Sequence, residues 1–138
     1  MIRCSLVIPV AGDKFLFSRR AKDKHPFPDT WVCAIGGKLN DGESFEDAAK
    51  REMMEEVGVV VPLKRVCSFH YDAEFKAEFT VFTTLAPLPD KLKLDPAEVQ
   101  YVKEFFISEI KDMVEKNPGD FAPTFRVALL EFEKNLRK

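Results

Sequence analysis

Histidine, cysteine and tryptophan are scarce in these 138 residues, with two, three and one copies respectively. With only His25 and His70, a His-rich zinc centre is not expected. Cys4, Cys33 and Cys67 are odd in number and lack CxxC spacing, so reduced, mostly buried thiols in a cytoplasmic protein are the simplest reading. A charge excess is missing too. Lys and Arg number 21 against 23 Asp and Glu, and a net −2 makes no electrostatic case for a nucleic-acid or membrane partner. No apolar run approaches the roughly 20 residues that cross a bilayer. The opening stretch MIRCSLVIPVAGDKFLF has no basic segment followed by a continuous apolar one, so it reads as a strand rather than a signal peptide.

What is present suits a globular chain with a real core. Apolar residues make up 46% and charged residues 32%, and the length predicts one domain spanning 1–138. Repeats, low-complexity segments and long linkers are not evident. CSLVIPV (4–10) and KFLFS (14–18) flank the turn AGD and predict a hairpin. RRAKDKHPFPDT (19–30) reads as a loop, and WVCAI (31–35) as a short buried strand running into Gly36 and Gly37. A helix is expected over 44–57. Strands are expected at 59–71, 78–86 and 99–107, with a proline-broken loop at 87–98. Helices follow near 108–116 and 124–136, where Phe125, Leu129, Phe132 and Leu136 recur at helical spacing. Strands outnumber helices and several are hairpin neighbours, which predicts an α/β sandwich with a mixed sheet rather than a doubly wound fold.

The helix at 44–57 carries the chemistry. Ser44, with Asp47 three residues on, forms a capping-box-like start, and Gly58 supplies a stop. Ala49, Met53 and Val57 share one stripe, the expected core contact. Glu46 has Lys50 four residues on, and Asp47 has Arg51, as on an ordinary surface helix. Glu52, Glu55 and Glu56 differ. They fall at i, i+3 and i+4, and Glu52 faces Glu56 where a base would normally stand. Acids near a helix C-terminus also oppose its dipole. A trio of acids on one helix is ordinarily a solvated face, but this unpaired geometry argues for a hard divalent cation such as Mg²⁺. Gly36 and Gly37 just ahead would let backbone approach such a ligand closely.

The spacing resembles a known family. Gly37, Glu43 and the run Arg51-Glu52-Met53-Met54-Glu55-Glu56-Val57-Gly58-Val59 match the Nudix box, G-x5-E-x7-R-E-U-x-E-E-x-G-U, at every fixed position over 23 residues. The resemblance implies a Nudix-type α/β/α sandwich with a central mixed β-sheet. It implies hydrolysis of a nucleoside diphosphate linked to another moiety, with Mg²⁺ or Mn²⁺; monomer and homodimer are both left open by the sequence. Carried over by position, Glu52, Glu55 and Glu56 would hold the metal, joined by the Gly37 carbonyl. Glu43 and Arg51 would brace loop against helix. A diphosphate shields itself with negative oxygens, so attack by water needs neutralisation and an acidified water, which a bound cation supplies.

Other roles are assigned by residue type. The general base could be Glu52 or Glu55, or a downstream acid, with Glu98 preferred and Glu78 second. Arg19, Arg20 and Lys38 are candidates for phosphate oxygens, since guanidinium forks suit that geometry. Phe27 or Trp31 could stack a base, with core burial the alternative for Trp31.

Within the family the sequence mainly excludes. No proline falls between Pro62 and Pro87, unlike the ADP-ribose subgroup, and the NADH subgroup's signature after the box is absent. The closing EVQYVKEFFISEI and FAPTFRVALLEF are similar to relatives of isopentenyl-diphosphate isomerase, but Gly36 stands at that enzyme's cysteine position and its histidines are missing. Nucleoside triphosphates and nucleotide sugars both remain open as substrates. A nucleotide-binding module without catalysis is the alternative of a different class, and the complete acid set argues against it.

Overall fold

The computed structural model describes residues 1–136, so the last two residues of the expected 1–138 domain lie outside the described residues. Its strands and helices, in chain order, are β1 (Ile2–Ile8), β2 (Val10–Ala11), β3 (Lys14–Arg20), β4 (Trp31–Cys33), β5 (Ile35–Lys38), α1 (Phe45–Val57), β6 (Leu63–Asp72), β7 (Lys76–Thr84), β8 (Val99–Phe105), α2 (Ile107–Lys116) and α3 (Pro123–Asn135). A short 3-10 turn, Pro118–Asp120, links the last two helices.

The strands form two sheets. One is mixed, in the order β5-β1-β7-β6, with β1 and β7 parallel and the other pairs antiparallel. β1 is central and buried on both faces, as its apolar run requires. Alternation along it divides the core. Cys4 and Ile8 face a large cluster with Phe79, Val81 and α3. Val7 faces a smaller one with Ile35, Met53 and Val57 of α1. Ser5 shares the α1 face, and its hydroxyl donates to the Phe45 carbonyl at 2.6 Å, tying strand to helix. With α1 on one face and α3 on the other, this is the expected α/β/α arrangement.

The second sheet corrects two expectations. The predicted hairpin of 4–10 with 14–18 does not form, because β1 ends at Ile8 and pairs with β5 and β7 instead. Pro9 cannot donate to a ladder, and beyond it the chain changes sheets. The true hairpin is β2 with β3, and its register continues through the Leu16 amide to the Pro9 carbonyl at 2.9 Å. Likewise, 31–35 is not one strand. It breaks at Ala34, leaving β4 in the second sheet with β3 and β5 in the first. β8 completes the second sheet on the other edge of β3. Arg19 and Arg20, expected in a loop, end β3.

α1 is built as its sequence suggests. Ser44 has extended backbone, and its hydroxyl accepts from the Asp47 amide at 3.0 Å. Gly58 takes the left-handed conformation at φ 75°, which a side chain would strain, and its amide reaches the Met54 carbonyl. Ala48, Ala49, Met53 and Val57 are the buried face. Loss of the cap through Ser44→Ala is expected to cost about 1 kcal/mol in urea unfolding with an unchanged m-value, the usual worth of an N-cap hydroxyl.

Candidate functional site

The loop from β5 into α1 is organised around one guanidinium. Arg51 Nε and Nη2 donate to the two Glu43 carboxylate oxygens at 2.8 and 3.0 Å, a bidentate fork. Nη2 also donates to the Lys38 carbonyl at 2.9 Å, tying the end of β5 to the helix. Glu43 in turn accepts from the Asn40 amide at 2.9 Å. The paired guanidinium holds the Glu43 carboxyl below the usual carboxylate range, with the Asn40 amide helping. Arg51 therefore does not form the ordinary surface pair with Asp47. Its remaining nitrogen, Nη1, contacts Glu52 at 2.8 Å and Glu55 at 3.4 Å.

That contact corrects the picture of three acids without a partner. Glu52 and Glu55 share Arg51, while Glu56 turns inward and accepts the Gly36 amide at 3.0 Å. Among the described residues, no three Asp, Glu, His or Cys side chains lie together in a metal-binding arrangement. Glu52 and Glu55 meet at the Arg51 Nη1 nitrogen, and Glu56 is drawn away from them to the Gly36 amide. Glu52 packs against Gly37 so closely that a Cβ there would displace its carboxylate from this position.

Glu52, Glu55, Glu56 and Glu98 nevertheless act on one another electrostatically at this corner. Burial pushes the Glu56 carboxyl up to about 8; the Gly36 amide pulls it down, while Glu52, Glu98 and Glu55 add to the rise. Burial also raises Glu52, against the opposing pull of Arg51. All the groups on offer are oxygens: three carboxylates, Glu98 and backbone carbonyls. Carboxylate and carbonyl oxygens are the hard donors that suit a divalent cation, whose arrival would displace the proton that burial holds on Glu56.

Beside Glu56 a cavity of about 400 Å³ opens between the two sheets. Four charged residues reach it: Arg20, Lys38, Glu56 and Glu98. Glu98, in the turn before β8, is held by Lys24 Nζ at 2.9 Å. Arg20 donates to the carbonyls of Lys24 and His25 at 3.0 and 3.3 Å; burial lowers its pKa, and Glu98 and Glu56 offset part of that. Cys4 and Cys33 stand on the wall. Burial pushes the Cys4 thiol up to about 11 and drives Cys33 higher still, so neither is a nucleophile at neutral pH.

Glu52 and Glu55 stay outside the cavity with Arg51, and three further sequence candidates are not brought to it either. Arg19 follows the strand alternation to the opposite side from Arg20. There it bridges Asp29 at 3.0 Å and Asp120 at 2.8 Å over the face of Trp31. Glu78 lies across β6–β7 from His70, with Nε2 and Oε2 3.3 Å apart. Trp31 is core, edge-on to Phe105 and Tyr101. Phe27 does line the cavity, as do Phe75 and Phe79, which the sequence reading did not single out. For Phe79 the only signal was strand alternation, which does not separate a cavity wall from a packed core, and Phe75 lies in the turn before β7, where no local pattern marks it.

The NUDIX domain model matches residues 2–125. The chain belongs to the Nudix hydrolase family. An uncharacterized Nudix hydrolase of Listeria innocua is 31% identical over 115 residues, 81% of this chain. The chain spans 66% of that relative's own length. A prenyl-diphosphate phosphatase of Methanosarcina mazei is 26% identical over 94% of this chain and 77% of its own. In fold, a MutT protein from Methanosarcina mazei superposes with a TM-score of 0.81 at 21% identity, over 99% of this chain and 96% of that one. The Nudix box thus sits on the fold its spacing implied.

The raised Glu56 carboxyl has a consequence for stability. A carboxyl ionising near 8 when folded and near its ordinary 4.5 when unfolded binds more protons in the folded state between those values. Its contribution is complete below pH 4.5 and is lost as pH rises through 8. In chelator, thermal melts of Glu56→Gln are expected to lose the part of the pH 5–8 decline that this group causes, with a melting temperature above that of the parent at pH 8.

Proposed function

We propose that the chain hydrolyses the diphosphate linkage of an organic diphosphate, using Mg²⁺ or Mn²⁺ held by Glu52, Glu55, Glu56 and the Gly37 carbonyl. The observation that carries this reading is Glu56. It is a carboxylate drawn inward beside Glu52 and Glu98, at the edge of a cavity large enough for a substrate. When bound, the cation supplies charge neutralisation at phosphorus and lowers the pKa of water.

The chain's own residues supply the rest. Arg51 cross-links β5, the loop and α1, so that Glu52 and Glu55 are positioned before any ligand arrives. Arg20 and Lys38 bind phosphate oxygens; both reach the cavity, unlike Arg19. Glu98, arriving from a different segment, accepts the proton that the attacking water gives up, and Lys24 keeps its carboxylate aimed. Isomerase chemistry is not proposed, because the cavity's two thiols are kept protonated by burial and Gly36 stands where that enzyme's cysteine would be.

The identity of the organic group is a separate matter. Nucleoside triphosphates and nucleotide sugars follow from the family likeness, and a hydrocarbon follows from the phosphatase relative.

Phosphate or nucleotide release across a diphosphate panel with Mg²⁺ and with Mn²⁺ tests the reaction. Glu56→Gln is expected to lower turnover at least ~100-fold while circular dichroism stays that of the parent, since removing one charge-stabilising group typically costs that much. Full turnover in that variant, or undiminished turnover in chelator, would remove the mechanism. Glu98→Gln is expected to reduce kcat by about 100-fold or more with KM little changed, the split that marks a proton acceptor rather than a binding group.

A further inference from the structure

The cavity beside Glu56 is chemically lopsided. Its charged residues are those already gathered at the acid corner, where Arg20, Glu56 and Glu98 feel one another electrostatically. The rest of the wall is hydrocarbon and aromatic: Ile2 and Leu6 from β1, Phe79 from β7, Phe125 from α3, and Phe27 and Phe75 from two loops. Phe27 and Phe75 come from the loop after β3 and the β6–β7 turn, and their rings stand 6.5 Å apart across the cavity's loop side.

Polar side chains that could read a base edge are few. Two hydroxyls stand on the wall, Ser18 and Thr124. Ser18 already donates to the Cys33 carbonyl at 3.2 Å. The guanidinium of Arg20 is committed in part to the carbonyls of Lys24 and His25. A nucleobase placed here would bury ring nitrogens and exocyclic groups against carbon, and each unmatched polar group costs free energy. A hydrocarbon chain would leave nothing unpaired.

We infer that this cavity is the subsite for the organic group and that its ligand is an alkyl or alkenyl chain, so the substrate is a hydrocarbon diphosphate rather than a nucleoside-linked one. The proposal rests on the hydrolytic reaction above. In that reaction the water oxygen bonds to the terminal phosphorus and the bridging P–O bond breaks. The products are the alkyl monophosphate and inorganic phosphate, with the surplus proton passing to Glu98 and then to solvent.

The full chain with Mg²⁺ is tested on ethyl, hexyl and decyl diphosphate beside ADP-ribose and the nucleoside triphosphates, reading product release. Burying a methylene is worth ~0.8 kcal/mol, so kcat/KM is expected to rise by about fourfold per carbon until the cavity is full. The best alkyl substrate then exceeds every nucleoside one. Phe75→Ser, in an exposed-side turn, is expected to lower the hexyl value more than the ethyl value and so flatten the slope. A fold defect would scale both together. Nucleoside substrates turned over as well as the best alkyl one, or a rate indifferent to chain length, would overturn the assignment.

If no compound is hydrolysed, the reaction proposed above fails. The subsite is then judged by calorimetric binding of methylene-bridged alkyl diphosphonates. Affinity that climbs with chain length upholds it, and affinity independent of chain length overturns it.

Discussion

The Arg51 guanidinium is the joint on which the site depends. One planar group meets the Glu43 carboxylate, the Lys38 carbonyl, Glu52 and Glu55, so a loop, a strand end and two turns of helix share a single anchor. A lysine in its place would offer a point charge without the fork, and could not serve both the bidentate pair and the helix acids. The Glu43–Arg51 pair also explains how α1 tolerates acids at its dipole-negative end. Part of their charge is cancelled by a base that belongs to the same helix and is itself fixed from outside it.

What Arg51 does not cancel is left on Glu56. Its carboxylate has one backbone amide for company and three acids for neighbours, and burial holds its proton on. A group in that state is poorly placed for stability and well placed for a cation, the trade common at functional sites. The glycine pair ahead of α1 belongs to the same arrangement. Gly37 lets the Glu52 carboxylate lie against the strand, and a Cβ on Gly36 would meet Leu6 Cδ2 at 2.6 Å and the Ser5 carbonyl at 3.1 Å. Backbone is thus held close to both the acids and the cavity.

The helix was legible because its signals are local. A capping serine, a stripe at helical spacing and a stop glycine each act within a few residues, and Ser44, Met53 and Gly58 behave as their positions suggest. The strands were legible as strands but not as partners. Pairing depends on where Pro9 and Ala34 send the chain between sheets, and no local pattern distinguishes a hairpin from a sheet crossing. The same limit separated Arg19 from Arg20. Both look like phosphate ligands in sequence, yet alternation puts one at the cavity and the other among Asp29, Asp120 and Trp31.

The amino-acid sequence by itself therefore determined the family, the acid helix and the loop that precedes it, since these rest on fixed spacings along one continuous segment. Tertiary structure decided which distant residues join them: Glu98 and Arg20 over Glu78 and Arg19, and a wall of phenylalanines from three separate segments. Side-chain direction and sheet pairing are set by packing between segments far apart in the chain. That information exists only once the two sheets have closed on each other.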